Sequence, residues 1–177
     1  MIKRIEENLR EFVYGGMDGA VTTFAVVTGA AGANLGARTI LILGFANVLA
    51  DGFSMAVGSY LSEKSDQDLS ISKGESKKED HESPLAASVA TFVSFLLVGF
   101  IPLSVYTLDY VFGWELGNDA LIWSILLTLV AFAGIGYLRG HITKIDKARA
   151  VLESLGLGLA AAMISYVVGN LLEKVIS

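Results

Sequence analysis

The chain has 177 residues, of which 53% are hydrophobic and 18% are charged, and its formal net charge is −5. Soluble domains average about 25% charged residues and about 45–50% apolar residues even with glycine counted, so this composition is typical of a membrane protein. The absence of cysteine excludes disulfides, thiolate metal sites and cysteine nucleophiles, and the acidic balance gives no support to nucleic-acid binding.

Hydropathy predicts an all-α polytopic membrane protein with five spans, because about 20 apolar residues are needed to cross a bilayer. The predicted spans are 12–33, 39–62, 85–112, 119–139 and 151–173. Residues 1–11 are charged and amphipathic, which predicts an interfacial helix leading into the first span rather than a cleavable signal peptide. Pro102 interrupts the third span, so the true crossing there is expected to be shorter.

The distribution of positive charge predicts the orientation of the chain. Eleven of the thirteen lysines and arginines lie before the first span, between the second and third, or between the fourth and fifth. The positive-inside rule therefore places the N-terminus in the cytoplasm and the C-terminus outside. Five spans cannot be divided into two equal inverted repeats, which favours a two-plus-three arrangement or a homodimer that completes a pathway.

Asp18 lies six residues into the first predicted span, and Asp51 lies near the middle of the second. Placing a carboxylate at the bilayer centre costs about 2.5–3.5 kcal/mol on insertion scales, so such residues usually mark an ion or proton pathway. The alternative for each is a structural carboxylate that is protonated or bonded to a neighbouring helix.

Helical spacing places Asp18 on a longer polar stripe. Glu7, Glu11 and Asp18 lie within about 40° of one another around a helix, and Thr22 extends the same face. A continuous helix would carry this line of carboxylates from the cytoplasmic surface into the bilayer.

A second polar face is predicted on the second span, where Asn47, Asp51 and Met55 recur every four residues. Carboxylate oxygen combined with thioether sulfur favours borderline transition metals over magnesium or calcium. Methionine also fills gaps in apolar cores, so a packing role for Met55 is the alternative.

The polar segment 63–83 separates the second and third spans and is rich in acidic residues. It is interpreted either as a solvated cytoplasmic linker or as a weak collector of cations. Glu75, Glu79 and Glu82 would share one face if this segment were helical.

The segments YGGMDGAVTTFAVVTGAAGA and GFANVLADGFSMAVGSYLS resemble the vacuolar iron transporter family, whose members move ferrous iron or manganese out of the cytosol. The segment GIGYLRG after the fourth span fits the family less specifically. The resemblance implies a homodimer of five-helix protomers with the metal path between the subunits, and exchange of metal for protons.

The resemblance also implies roles for individual residues. Asp18 and Met55 match the deep carboxylate and the methionine of the metal path, and Glu7 and Glu11 match its cytoplasmic entrance. Asp51 falls in a stretch where a proton-linked or structural polar role is expected, a role also open to its neighbour Asn47 and to Thr22.

The chain departs from plant-type members in its linker, which is too short for their three-helix cytoplasmic metal-binding domain. Glu63 and Asp66 would then continue the second helix outward, without forming a full metal cluster. The short linker favours the plasma membrane of a prokaryote, with a vacuolar membrane expected for a eukaryotic chain.

The sequence thus predicts a secondary transporter that exports Fe²⁺ or Mn²⁺ from the cytoplasm by metal/proton antiport. Burial disfavours the charged form of a carboxylate, so metal and proton compete for one site. The metal is substrate, and no permanently bound cofactor is expected. The alternatives are a non-transporting membrane scaffold or assembly factor and an intramembrane aspartyl hydrolase, although GMDG and LADG do not match the YD and GxGD patterns of those enzymes.

Overall fold

The computed structural model describes the backbone of residues 2–74 and 83–176 and the side chains of residues 9–74 and 83–176. The described chain forms six α-helices, which are α1 (Ile2–Gly32), α2 (Ala37–Ser72), α3 (Pro84–Gly99), α4 (Ile101–Phe112), α5 (Asp119–Thr143) and α6 (Lys147–Ile176). Its described residues contain no strand, so the predicted all-α class is confirmed.

Helix α1 lies at the centre of the bundle and packs against each of the other five helices, most extensively against α3 and α6. Glycines make this close packing possible. A Cβ atom at Gly19 would lie 2.5 Å from the carbonyl oxygen of Phe95 on α3, and one at Gly32 would collide with the carbonyl oxygen of Tyr166 on α6. Because no side chain separates the helices at these points, their backbones are in direct contact.

Helix α2 continues well beyond the predicted end of the second span at residue 62 and finishes at Ser72. Its fully buried residues recur every four positions, at Ile40, Gly44, Val48 and Gly52. None of its residues after Gly52 is fully buried, so the last turns of α2 extend away from the core of the bundle. The first half of the polar segment 63–83 is therefore helical.

The predicted third span is divided into α3 and α4, which meet at an angle of 53° around Phe100. Pro102 accounts for the bend, because proline lacks the backbone N–H that would continue the hydrogen bonding of α3. The bend is held by α5, where the hydroxyl of Ser124 donates to the carbonyl oxygen of Pro102 at 2.7 Å.

Two apolar clusters fill the bundle. One contains Phe24 and Phe132, whose rings meet edge to face with centroids 6.0 Å apart, together with Val98 and Ile135. The other lies towards the α1–α2 turn and includes Val27, Ile40, Val48, Leu103 and Tyr106. Apolar side chains thus surround the C-terminal half of α1.

Large apolar side chains also cover the outside of the bundle, as expected for helices in contact with lipid. Among the described helices, α2, α5 and α6 are each long and apolar enough to cross a membrane, and the bent pair α3–α4 is a fourth candidate. Helix α1 is not in this set, because it is rich in glycine, threonine and charged residues. The fifth span and the orientation therefore stay predictions.

Candidate functional site

A cavity of about 1000 Å³ opens at the end of the bundle where α1 and α6 begin and where α5 ends. Its walls come from α1, α2, α5 and α6, and its charged lining residues are Arg10, Glu11, Glu63 and Arg139. The cavity brings together three of the predicted site residues, Glu11, Glu63 and Met55, from two helices.

Glu11 is held at a junction of three helices. The hydroxyl of the buried Thr91 on α3 lies 3.1 Å from Oε2 of Glu11, 3.5 Å from the hydroxyl of Ser59 on α2 and 3.0 Å from the carbonyl oxygen of Ala87. A hydroxyl has one proton, so it donates to one of these acceptors at a time. When its proton is directed to Oε2, Thr91 orients the Glu11 carboxylate and leaves it with capacity for another ligand.

Met55 is accompanied in the cavity by a second methionine, Met17 of α1, which the sequence analysis did not single out. The signal for Met17 was present, because Arg10, Val13, Tyr14 and Met17 follow the i, i+3, i+4, i+7 spacing of one helical face. All four residues line the cavity. The cavity thus offers two thioether sulfurs and two carboxylates.

Asp18 and Asp51 do not line the cavity and form a second polar level beyond it. Asp18 directly follows Met17, and Asp51 lies one helical turn from Met55 on the side away from the cavity mouth. Both side chains are partly buried, and each lies next to a level of its helix that borders the cavity. The structure therefore places the two predicted membrane carboxylates together at the α1–α2 boundary.

Two further predicted residues lie near this second level. The hydroxyl of Thr22 donates to the carbonyl oxygen of Asp18 at 2.9 Å, so its proton is used within α1. Asn47 lies one turn beyond Asp51, and its Nδ2 is one of two buried side-chain polar atoms without a hydrogen-bond partner in the part of the chain that the structure describes. The other is Oγ1 of Thr23.

The remaining predicted residues are not brought into the cavity. Asp66 is exposed on the extension of α2. The side chain of Glu7 and all of Glu75, Glu79 and Glu82 lie outside the described residues. Within the described ranges, no three His, Asp or Glu side chains converge to hold a metal ion. The carboxylates of α1 and α2 instead lie at two levels, with Glu11 and Glu63 at the cavity and Asp18 and Asp51 beyond it.

The wall formed by α5 and α6 carries an ion-pair network that sequence reasoning also missed. Nη2 of Arg139 lies 3.0 Å from Oε2 of Glu153, and Nε of Arg149 lies 3.0 Å from Oε1 of the same carboxylate. Arg139 was counted in the sequence only as a cytoplasmic positive charge. Its pairing with Glu153 ties α5 to α6 at the cavity and offsets a cationic charge that would otherwise repel a metal ion.

Comparison with known proteins gives the context for this cavity. The model of the VIT family matches residues 9–80 and 69–170 of the chain. Vacuolar iron transporter homolog 4 of Arabidopsis thaliana is 30% identical over 138 residues, which cover 75% of this chain and 69% of the relative. Homolog 3 of the same plant is 28% identical over 158 residues, covering 86% and 78%, respectively. Vacuolar iron transporter 1 of Arabidopsis thaliana is 23% identical over 222 residues, covering 94% and 87%.

Proposed function

The chain belongs to the VIT family of membrane metal transporters, which are not enzymes, and on that premise we propose that it exports Fe²⁺ or Mn²⁺ from the cytoplasm in exchange for protons. The observation that carries this proposal is the cavity that Glu11, Glu63 and Met55 line. Carboxylate oxygens and a thioether sulfur together suit a borderline divalent metal.

The proposed path runs from the cavity to the pair Asp18 and Asp51. A divalent ion that leaves water needs ligands to replace its hydration and negative charge to offset its own, and the two carboxylates provide both. Two carboxylates that repel each other in a partly buried site are stabilised either by a cation between them or by a proton on one of them. Metal and proton would therefore compete at this level, which is the minimum requirement for exchange.

The proposed direction follows from the charge distribution. The cavity opens at the end of the bundle that carries Arg10, Arg139 and Arg149, and the positive-inside rule assigns that end to the cytoplasm. In this arrangement α1 is the fifth crossing. A helix enclosed by its neighbours needs no lipid-compatible surface, which reconciles its polar composition with a position inside the membrane.

We further propose that two copies pair through α2. Ala46, Ala50, Ser54 and Gly58 recur every four residues, all are exposed, and no atom outside α2 approaches the Cβ position of Gly58. Such a stripe of small residues allows close approach of another membrane helix. Asp51 directly follows Ala50, so a second copy seated here would cover the flank of the deeper carboxylate pair.

The relatives bear on location only through their names, which refer to the vacuole. They lend no support to the expected prokaryotic plasma membrane, and the proposed export therefore refers only to movement away from the cytoplasmic face.

Reconstitution into liposomes tests the proposal directly. With an imposed pH gradient, the protein is expected to move Fe²⁺ and Mn²⁺ against protons, and dissipation of the gradient is expected to slow the metal flux. Asp66→Ala is expected to transport as the unchanged protein does, because Asp66 is an exposed carboxylate on the same helix as Met55 but outside the cavity. A metal flux that is the same with and without the pH gradient would refute antiport. A complete absence of flux would favour the scaffold alternative.

A further inference from the structure

We infer that Met17 is a specificity-determining residue that, with Met55, gives the cavity a preference for the softer Fe²⁺ over the harder Mn²⁺. This inference rests on the proposed function, because it names which divalent cation the same cavity favours. It depends on the second thioether of the cavity, that of Met17, which lies on the face of α1 next to the polar stripe.

The position of Met17 is fixed by the glycines that precede it. A Cβ atom at Gly15 would lie 2.7 Å from the carbonyl oxygen of Thr91 on α3, and one at Gly16 would lie 3.0 Å from a methyl group of Val98. The helix is thus seated too closely on α3 to rotate freely about its axis at this level. Successive residues of a helix point about 100° apart, so Met17 lines the cavity while the next residue, Asp18, does not.

Met17 also packs against the apolar cluster around Phe24 and Phe132, as a methionine with only a structural role would do. Its place in the cavity wall adds a second property, since the same residue borders the space that Met55, Glu11 and Glu63 border. One thioether beside carboxylates is a weak selector, whereas two sulfurs shift the donor set towards softer metals.

The composition of the chain sharpens this chemical argument. It has no cysteine and only two histidines, His81 and His141, so methionine sulfur is the softest donor that it contains. Of its four methionines, Met17 and Met55 line the cavity and Met163 is exposed on α6, while Met1 lies outside the described residues. A soft cation therefore probes methionine sulfur, and a variant of Met163 separates its contribution from that of the two cavity sulfurs.

The first test is equilibrium binding of Ag⁺ to the purified full-length protein in detergent, because Ag⁺ is a soft ion that favours thioether ligands. Met17→Leu and Met55→Leu are each expected to weaken Ag⁺ binding at least about tenfold, since volume-conserving exchanges preserve packing while removing a sulfur. Met163→Leu is the matched control and is expected to bind as the unchanged protein does. Unaltered Ag⁺ affinity in Met17→Leu would overturn the inference.

The second test compares metals in liposomes. Met17→Leu is expected to lower the ratio of Fe²⁺ to Mn²⁺ flux about threefold, mainly through slower Fe²⁺ transport, because Mn²⁺ prefers oxygen ligands. An unchanged ratio in a protein that still transports both metals would refute the role of Met17 in selectivity and leave the proposed transport intact. The reverse result, loss of Ag⁺ binding in a protein that moves no divalent metal, would refute transport and leave the two-sulfur site standing.

Discussion

The two halves of the continuous helix α1 have different surroundings. From Arg10 to Met17 its side chains border an open cavity together with residues of α2, α5 and α6. From Gly19 onward it is closed, because glycines bring its backbone against α3 and α6, and a hydroxyl of α6, that of Ser165, donates to the carbonyl oxygen of Ala25 at 2.5 Å. One face of the first half thus borders the cavity, whereas the second half is packed against α3 and α6.

The comparison indicates where the proposed path is most closely packed. Asp18 lies at the boundary, one residue beyond the last α1 residue in the cavity wall and one residue before Gly19, where the backbone of α1 lies against Phe95 of α3. On the proposed path, an ion that reaches Asp18 has left the cavity and meets the closely packed half of α1. We therefore expect substitutions in the open half to change transport and substitutions in the closed half to change stability.

The largest effect is expected at the boundary itself. Asp18→Ala removes a carboxylate that no other α1 residue on this level replaces, so metal flux should fall at least about a hundredfold, beyond the 10–100-fold typical of losing a residue that only supports a ligand. The thermal unfolding of the variant in detergent should match that of the unchanged protein. Flux above half the unchanged value would show that Asp18 is not on the path.

The closed half is tested by one substitution made at two glycines. Gly19→Ala should destabilise the protein by about 1–3 kcal/mol, because the added methyl group would lie 2.5 Å from a carbonyl oxygen of α3. Gly134→Ala on α5 meets no atom within 4 Å and should leave stability unchanged or raise it by up to about 1 kcal/mol. Denaturant unfolding of both variants measures the difference, and equal stabilities would contradict the assignment of close packing to this half.

A smaller, salt-dependent effect is expected at the entrance. The double variant Glu7→Ala/Glu11→Ala should raise the apparent KM for metal about fivefold with little change in maximal rate, because Glu11 borders an open cavity and is expected to concentrate cations there, whereas the deeper carboxylates replace their hydration. The difference should shrink at high ionic strength, since the screening length is about 8 Å at physiological salt. If the double variant is inactive even at saturating metal, these glutamates are obligatory ligands instead.

The smallest effect is expected at the residue that orients Glu11. Thr91→Val keeps the shape of the side chain and removes the hydroxyl that lies 3.1 Å from Oε2 of Glu11. The loss of about 1 kcal/mol of hydrogen-bond energy should raise the apparent KM about two- to fivefold. Thr107→Val is a suitable control, because its hydroxyl donates to the carbonyl oxygen of Leu103 within α4, at the opposite end of the bundle. Equal KM values in the two variants would show that Thr91 does not position Glu11.

Local spacing was sufficient to predict the helices and much of the polar stripe, because helical periodicity is visible in the sequence. It placed Glu11 and Asp18 on one side of α1, and the structure assigns them to two successive levels of the bundle. The sequence predicted that Pro102 interrupts the third span. It did not predict the angle between α3 and α4, since that angle depends on packing against α5.

The cavity itself could not be predicted, because it is a property of how distant segments pack. Arg139 and Ser154 on α5 and α6 face the same space as Glu11, yet nothing in their local sequence connects them to α1. Met17 was missed for a different reason. Only helical spacing distinguishes the face of α1 that contains Met17, whereas the neighbouring stripe is also acidic and was therefore easier to recognise.

The central claim, that metal enters from the cavity, is tested most directly by protection of a single cysteine. The chain has no cysteine of its own, so Ser62→Cys in the cavity wall and Ser65→Cys on the same helix outside it provide a matched pair. The rate of labelling by a charged thiol reagent would be measured with and without Mn²⁺, which binds thiols weakly. The account predicts that Mn²⁺ slows labelling of Ser62→Cys and leaves Ser65→Cys unchanged. Equal labelling rates for Ser62→Cys in the presence and absence of Mn²⁺ would contradict it.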